Sequence, residues 1–184
     1  MHLQVIITAP LGPRALDTLG WKGREGILDA RRLFNYFRLT GDNRIVFGGG
    51  RPRYAWGGRT DDGRRGEAAL DRLATELEAT FGPEVPLAVT GGWTGVIGYV
   101  LDALPAIERM RERPSVVCAV GWCGHGVALS VASGEWVSRI LCDGAAPDDL
   151  PWHRDQLPLL RFESVRWVGF QAAIGLMSLL DRIA

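Results

Sequence analysis

The chain has no surplus charge of either sign: its 184 residues carry 21 Lys and Arg against 21 Asp and Glu. No overall field therefore draws it to nucleic acid or to an acidic membrane, and any basic behaviour must be local. Cysteine is scarce. Cys118, Cys123 and Cys142 are odd in number and form no C-x-x-C pair, which argues for a reducing compartment and against a zinc site. Long hydrophobic runs are missing as well. The most apolar stretch, 162–180, is interrupted by Glu163, Arg166, Gln171 and Ser178 and falls short of the roughly 20 apolar residues of a membrane span. A terminal helix docking on the body is expected there, with a membrane-surface helix as the alternative. Met1-His2-Leu3-Gln4 has neither the basic flank nor the apolar h-region of a signal peptide, so a cytoplasmic protein is expected. There is no internal repeat and no low-complexity tract.

What remains is globular, with 47% hydrophobic and 23% charged residues and length for one ordinary core or two incomplete lobes. Residues 3–9 read as a strand that begins almost at the first methionine, which suggests that the natural domain starts upstream. Residues 33–40 and 44–47 flank Gly41-Asp42-Asn43, the composition of a short hairpin turn. Arg38 could face a substrate from that hairpin or simply lie on its wet side. A loop opened by Gly48-Gly49-Gly50 interleaves Arg51, Arg53, Arg59, Arg64 and Arg65 with Tyr54 and Trp56, broken by Asp61 and Asp62. That is the local composition of single-strand nucleic-acid binders, although in a neutral chain a solvated lid or insertion accounts for it better.

Leu70, Leu73, Leu77 and Phe81 recur at helical spacing, and Gly82-Pro83 ends the helix expected over about 65–81. A strand over 85–93 should follow. Gly91-Gly92-Trp93-Thr94-Gly95 then suggests either open backbone that something flat packs against or a barrel corner without a ligand. Glu108 to Arg113 reads as a charged connector. The helix from Val127 has a wide apolar arc and one i,i+4 pair, Glu135 and Arg139, so it is expected to be packed on more than one side.

The stretch that organises the chain is Val116-Val117-Cys118-Ala119-Val120 followed by Gly121-Trp122-Cys123-Gly124-His125-Gly126-Val127. It reads as a buried strand, a glycine turn and a helix start. Three glycines let backbone approach a ligand closely, and the first helical N–H groups have no intrahelical partners, so the turn suits an anionic or electron-rich group. A tight strand-to-helix crossover with no ligand explains the same glycines equally well. The order G-x-x-G-x-G is not the dinucleotide fingerprint G-x-G-x-x-G.

In order along the chain, Tyr36-Phe37-Arg38-Leu39-Thr40-Gly41-Asp42-Asn43-Arg44 with Phe47-Gly48-Gly49, then Trp93-Thr94-Gly95, Asp102 and Pro105-Ala106-Ile107, then Gly121 to Gly126, resemble the C-terminal part of FAD-dependent oxidoreductases of the D-amino-acid-oxidase-like superfamily. The branch of γ-glutamylputrescine oxidases and sarcosine-oxidase-like enzymes is the nearest in pattern. Val5 to Leu11 and a closing segment at Leu150-Pro151 also fit, so the resemblance spans almost the whole chain. It implies an α+β chain that is part of an antiparallel-sheet substrate domain plus the C-terminal strand–helix segment of a doubly wound FAD domain, incomplete. Residues 1–92 would be the partial substrate domain, 93–147 the returning flavin-domain segment, and 148–184 a linker and docking helix.

The implied cofactor is FAD and the implied reaction oxidation of an amine or amino acid by hydride transfer to the flavin, with the G-x-G-x-x-G half absent from this sequence. On that resemblance the cofactor contacts are Trp93, Thr94, Gly95, Gly121, Trp122, Cys123, Gly124, His125, Gly126 and Val127, and the substrate contacts Tyr36 and Arg38. No catalytic residue and no metal is assigned. His125 is expected to hold the turn or bond the flavin rather than act as an acid or base. Where the family often has Thr-x-Asp and Ile-Gly, this chain has Val100-Leu101-Asp102 and Ile107-Glu108, so flavin contacts at 100 and 108 are in doubt. Ala128 replaces the lysine that sarcosine oxidases use for the substrate carboxylate, and 90–98 lack a cysteine for covalent flavin, so carboxylate-anchored sarcosine chemistry is disfavoured. The expected partners are a small amine or amino acid and a separate chain supplying the missing half, with no nucleic acid; the competing reading is a truncated, non-catalytic interaction module.

Overall fold

Every second residue of β1 (His2–Thr8) is buried, and that period of two sets the architecture around it. The computed structural model describes residues 1–61, 63–144 and 160–183. After β1 come α1 (Pro13–Leu19), β2 (Ile27–Leu28), β3 (Asn35–Leu39), β4 (Ile45–Gly49), α2 (Gly63–Phe81) and β5 (Val89–Val96). They are followed by β6 (Ala106–Arg109), β7 (Val117–Val120), α3 (Gly126–Asp143) and α4 (Glu163–Ile183). The chain is thus a mixture of helix and antiparallel sheet. It divides into two units, one made of Met1–Val96 with α4 and the other of the described residues between Ile97 and Phe162.

In the first unit five strands lie in the order β2-β3-β4-β1-β5, each antiparallel to its neighbour. The hairpin read from Gly41-Asp42-Asn43 forms with Thr40 N–H donating to the Arg44 carbonyl, and Asn43 takes the left-handed φ of 63° that such turns reserve for Asn or Gly. Ile6, Phe37, Leu39, Ile45 and Phe47 project from one face onto Leu73 and Leu77 of α2, with Trp21 and Phe81 closing the margin. Burying a side chain such as Phe47 contributes about 1.5–3 kcal/mol. α4 packs on this unit. Its Asp181 carboxylate accepts the backbone N–H groups of Arg32 and Leu33 at 2.9 Å each, and Trp167 and Phe170 meet Trp56 and Tyr54.

Several expectations need correction. The strand expected over 85–93 begins only at Val89 and continues to Val96, so the domain limit expected at 92/93 lies inside β5. Gly92 sits in that strand where a Cβ would meet Leu70 Cδ2 at 3.0 Å and the Val5 carbonyl at 3.1 Å, so it serves α2 packing rather than a corner. The loop read as a solvated lid instead contributes a 3-10 turn, Trp56–Gly58, whose aromatic neighbours pack on α4. No helix among the described residues is long and apolar enough to cross a membrane.

The second unit is thinner. β6 and β7 pair antiparallel, with Ile107 opposite Ala119 and Met110 N–H bonded to the Val116 carbonyl, so Glu108 and Arg109 are strand and not connector. β7 is half-exposed rather than buried, because it has one strand neighbour and one helix against it among the described residues. α3 packs Trp136, Val137 and Ile140 on Ile107, Val117 and Ala119. Its other face is bare: Val127 is 91% and Val131 80% exposed, which corrects the expectation of a helix covered on more than one side. Leu150, Pro151 and the rest of the linker, like Asp62, lie outside the described residues.

Candidate functional site

The strand–turn–helix stretch forms as the glycine pattern predicts. Gly121 leaves β7 with φ of 82°, Cys123 follows at 51° and Gly124 at 93°, three left-handed residues in four positions. Two are glycines, which take that conformation at little cost; the third, Cys123, is held by its surroundings. Its buried thiol sulfur accepts the Val100 N–H at 3.3 Å and lies 3.1 Å from the Gly121 carbonyl, while the Cys123 N–H donates to the Gly98 carbonyl at 3.2 Å. Inside the turn His125 N–H donates to the Trp122 carbonyl at 2.8 Å.

The two left-handed glycines face opposite ways. A Cβ on Gly121 would strike Val100 Cγ2 at 2.9 Å, so that position is closed by the protein. A Cβ on Gly124 would meet nothing within 4 Å. The outer rim of the turn, Gly124 and His125, is therefore exposed, and it leads directly into α3. His125 caps that helix without a side-chain bond to its backbone, so the first-turn N–H groups of Gly126 and Val127 are left to solvent or a ligand. The helix dipole adds positive potential there.

The remaining candidates lie in the first unit, and strand register decides which share a face. Tyr36 pairs with Gly48, Gly48 with Val5, and Val5 with Trp93, giving one row straight across four strands. In the flanking rows Arg38 faces Val46 and Leu3 faces Gly95. All lie on the face turned away from α2, whose floor is Leu3, Val5, Ile7 and Val46. A Cβ on Gly48 would fall 2.5 Å from Tyr36 Cζ, so the hydroxyl end of the phenol ring occupies the space over that glycine. Burial raises the Tyr36 phenol above its ordinary pKa, which keeps it a neutral hydrogen-bonding group. Arg38 is exposed beside it.

Thr94 separates from its neighbours. It pairs with Gln4 on the α2 side, so toward the open face it presents backbone only. This divides Trp93-Thr94-Gly95, which sequence order treats as one contact. The segment that secures the turn, Gly98 to Val100, was not distinguished by sequence beyond its glycine. A sulfur acceptor on a backbone N–H leaves no pattern in sequence.

A family model for FAD-dependent oxidoreductases, DAO, matches residues 1–140 of this chain. The chain belongs to that family. Among curated relatives, the probable oxidoreductase OrdL of Haemophilus influenzae is 27% identical over 145 residues, covering 79% of this chain and 29% of the relative. The gamma-glutamylputrescine oxidoreductase of Escherichia coli K12 is 29% identical over 114 residues, 61% of this chain and 24% of that protein. The chain thus spans 24–29% of the length of these relatives. The crystal structure of L-proline dehydrogenase from P. horikoshii superposes with a TM-score of 0.55 at 21% identity, over 82% of this chain and 37% of that one, a likeness of fold. FAD dependence therefore comes with the family. Tested against the turn, a flavin edge fits the geometry on one side: Gly124 leaves space where any side chain would stand, and unshared amides and a helix end lie beside it.

Proposed function

We propose that this chain is the C-terminal portion of a flavin-dependent enzyme that oxidises an amine or amino acid, with residues 121–127 holding one edge of the flavin. The observation that carries the reading is the outward-open Gly124 at the mouth of α3, locked from behind by Cys123 and Gly121. When bound, FAD supplies the electron sink for hydride transfer. The chain's own contribution is electrostatic: amides of Gly126 and Val127 and the positive end of α3 stabilise negative charge beside the turn without reorganising. His125 adds a ring N–H at the rim and holds the turn through its backbone.

On the same reading the open sheet face is the wall of the substrate site. Tyr36 offers a neutral hydroxyl, Arg38 a guanidinium that orients an anionic substrate group, and Trp93 with Gly95 a flat surface at the margin. Leu3, Val5 and Ile7 give that wall an apolar floor. The half of the protein that binds the rest of FAD is supplied by sequence outside this chain, as further chain or as a separate partner. An interaction module without catalysis is the second reading, favoured by the bare Val127 and Val131 on α3.

The test is flavin content in protein reconstituted with the missing half. Gly124 and Gly144, at opposite ends of α3, both have left-handed φ and empty space beside them, so Ala imposes similar strain at each. Gly124→Ala should lower bound flavin several-fold and Gly144→Ala should leave it unchanged. Equal flavin in the two variants would sink the assignment of the turn.

A further inference from the structure

We propose that an arginine-lined cleft in the first unit is a second binding site, for a small ligand carrying several negative charges and a flat ring, the chemistry of a nucleoside polyphosphate. The cleft has a volume of about 1290 Å³ and lies between the loop after β4, the start of α2 and one side of α4. His2 and Gln4 line it from the α2 side of the sheet, so it is not the open face that carries Tyr36 and Arg38. It exceeds the roughly 300–1,000 Å³ of ordinary ligand pockets, leaving room for a solvated polyanion.

Charge is what marks it. Among the described lining residues eight are arginines and three are carboxylates. Each carboxylate already serves the fold. Asp61 accepts the Gly63 N–H at 3.0 Å, Glu76 accepts from Asn35 Nδ2 at 2.9 Å, and Asp181 accepts the two backbone donors of Arg32 and Leu33. By contrast Arg51, Arg64, Arg65 and Arg72 form no ion pair with a carboxylate among the described residues. Arg53 donates to Gln4 Oε1 at 3.1 Å from a setting where burial, and then the charge of Arg72, depress its pKa. Like charges gathered in a concavity repel one another, and a bound polyanion reverses the sign of that energy. Guanidinium forks match phosphate oxygens two at a time.

Two exposed indoles account for the flat part of the ligand. Trp56 and Trp167 line the cleft, are 48% and 42% exposed, and stand edge-to-face with centroids 6.3 Å apart. Such exposed indoles stack on any flat ring, and an arginine beside them adds cation–π attraction. Seven of the eight lining arginines are exposed like the two indoles, so one compact ligand has guanidinium groups and flat rings open to it within the same concavity. This inference does not depend on the flavin assignment.

The experiment is calorimetric titration of the 184-residue chain with ATP, inorganic triphosphate, adenosine and FAD. ATP should bind, more weakly as salt rises. Arg65→Ala with Arg72→Ala, both exposed positions on α2, should weaken ATP about tenfold or more with the circular dichroism of the fold unchanged. Trp56→Ala should weaken ATP while leaving the affinity for triphosphate as it was. The proposal is overturned if ATP gives no binding heat, if triphosphate binds as tightly as ATP and Trp56→Ala changes neither, or if FAD displaces ATP one for one, which would make the cleft part of the cofactor's own site.

Discussion

Phe47 in the first unit and Ile140 in the second are both almost wholly buried, yet their surroundings differ. Phe47 lies between a five-stranded sheet and a 19-residue helix, in a cluster of eight buried apolar side chains bordered by Trp21 and Phe81. Ile140 shares its cluster with one other buried residue, Ile107, and the border is five half-buried neighbours. The first unit has a layer of helix over one sheet face; the second, among the described residues, has a two-stranded hairpin, one helix and a helix face with nothing over it. A two-stranded hairpin is marginal alone in water, so among the described residues the second unit depends on the packing of α3 against it.

That contrast can be broken by experiment. The largest effect should come from Phe47→Ala, which should cost about 3–5 kcal/mol and shift the main denaturant transition. A small effect there would mean the first unit's core is loose. Ile140→Ala should cost about 2 kcal/mol, the low end for such truncations, because the half-open site can collapse or admit water. It should be seen in hydrogen exchange of 106–120 with the first unit unaffected. A loss as large as that of Phe47→Ala would show that the second unit is better packed than its exposure implies.

Acid should act next, on the clamp of α4. The Asp181 carboxyl is held below the usual carboxylate range, first by the Leu33 N–H and then by the Arg32 N–H. A lowered pKa means that this stabilisation is complete above the free carboxylate value, about 3.9, and is lost as pH falls through the depressed one. Asp181→Asn should remove that pH dependence, followed by the fluorescence of Trp167 against Trp56. An unchanged acid profile would place the α4 attachment elsewhere. The smallest effect on folding should be that of Val131→Asp on the bare face of α3, within about 0.5 kcal/mol. If a covering partner exists, the same change should abolish its association with the chain; strong destabilisation instead would mean that Val131 is not exposed.

Much of this was legible beforehand. The hairpin around Asp42 and Asn43, the helix ending at Gly82 and the strand–glycine turn–helix at 121–127 all follow from local rules of φ, capping and period. A wide apolar arc on α3 predicts burial on two sides, whereas Val127 and Val131 are exposed, because periodicity does not say what covers an apolar face. Trp93 and Gly95 share a face that Thr94 does not, because a strand sends neighbours to opposite faces. The arginine–aromatic loop was legible as composition; that Arg72 and Trp167 join it from two distant helices was not.

The amino-acid order alone determined where the backbone turns and where helices and strands run, because those choices are made by glycine, proline and side-chain period within a few residues. Only the tertiary structure decided that Tyr36 and Trp93 lie in one row, that Gly124 opens outward while Gly121 is closed, and that the arginines converge. Those depend on strand register and on contacts between residues far apart in sequence, which no local pattern encodes.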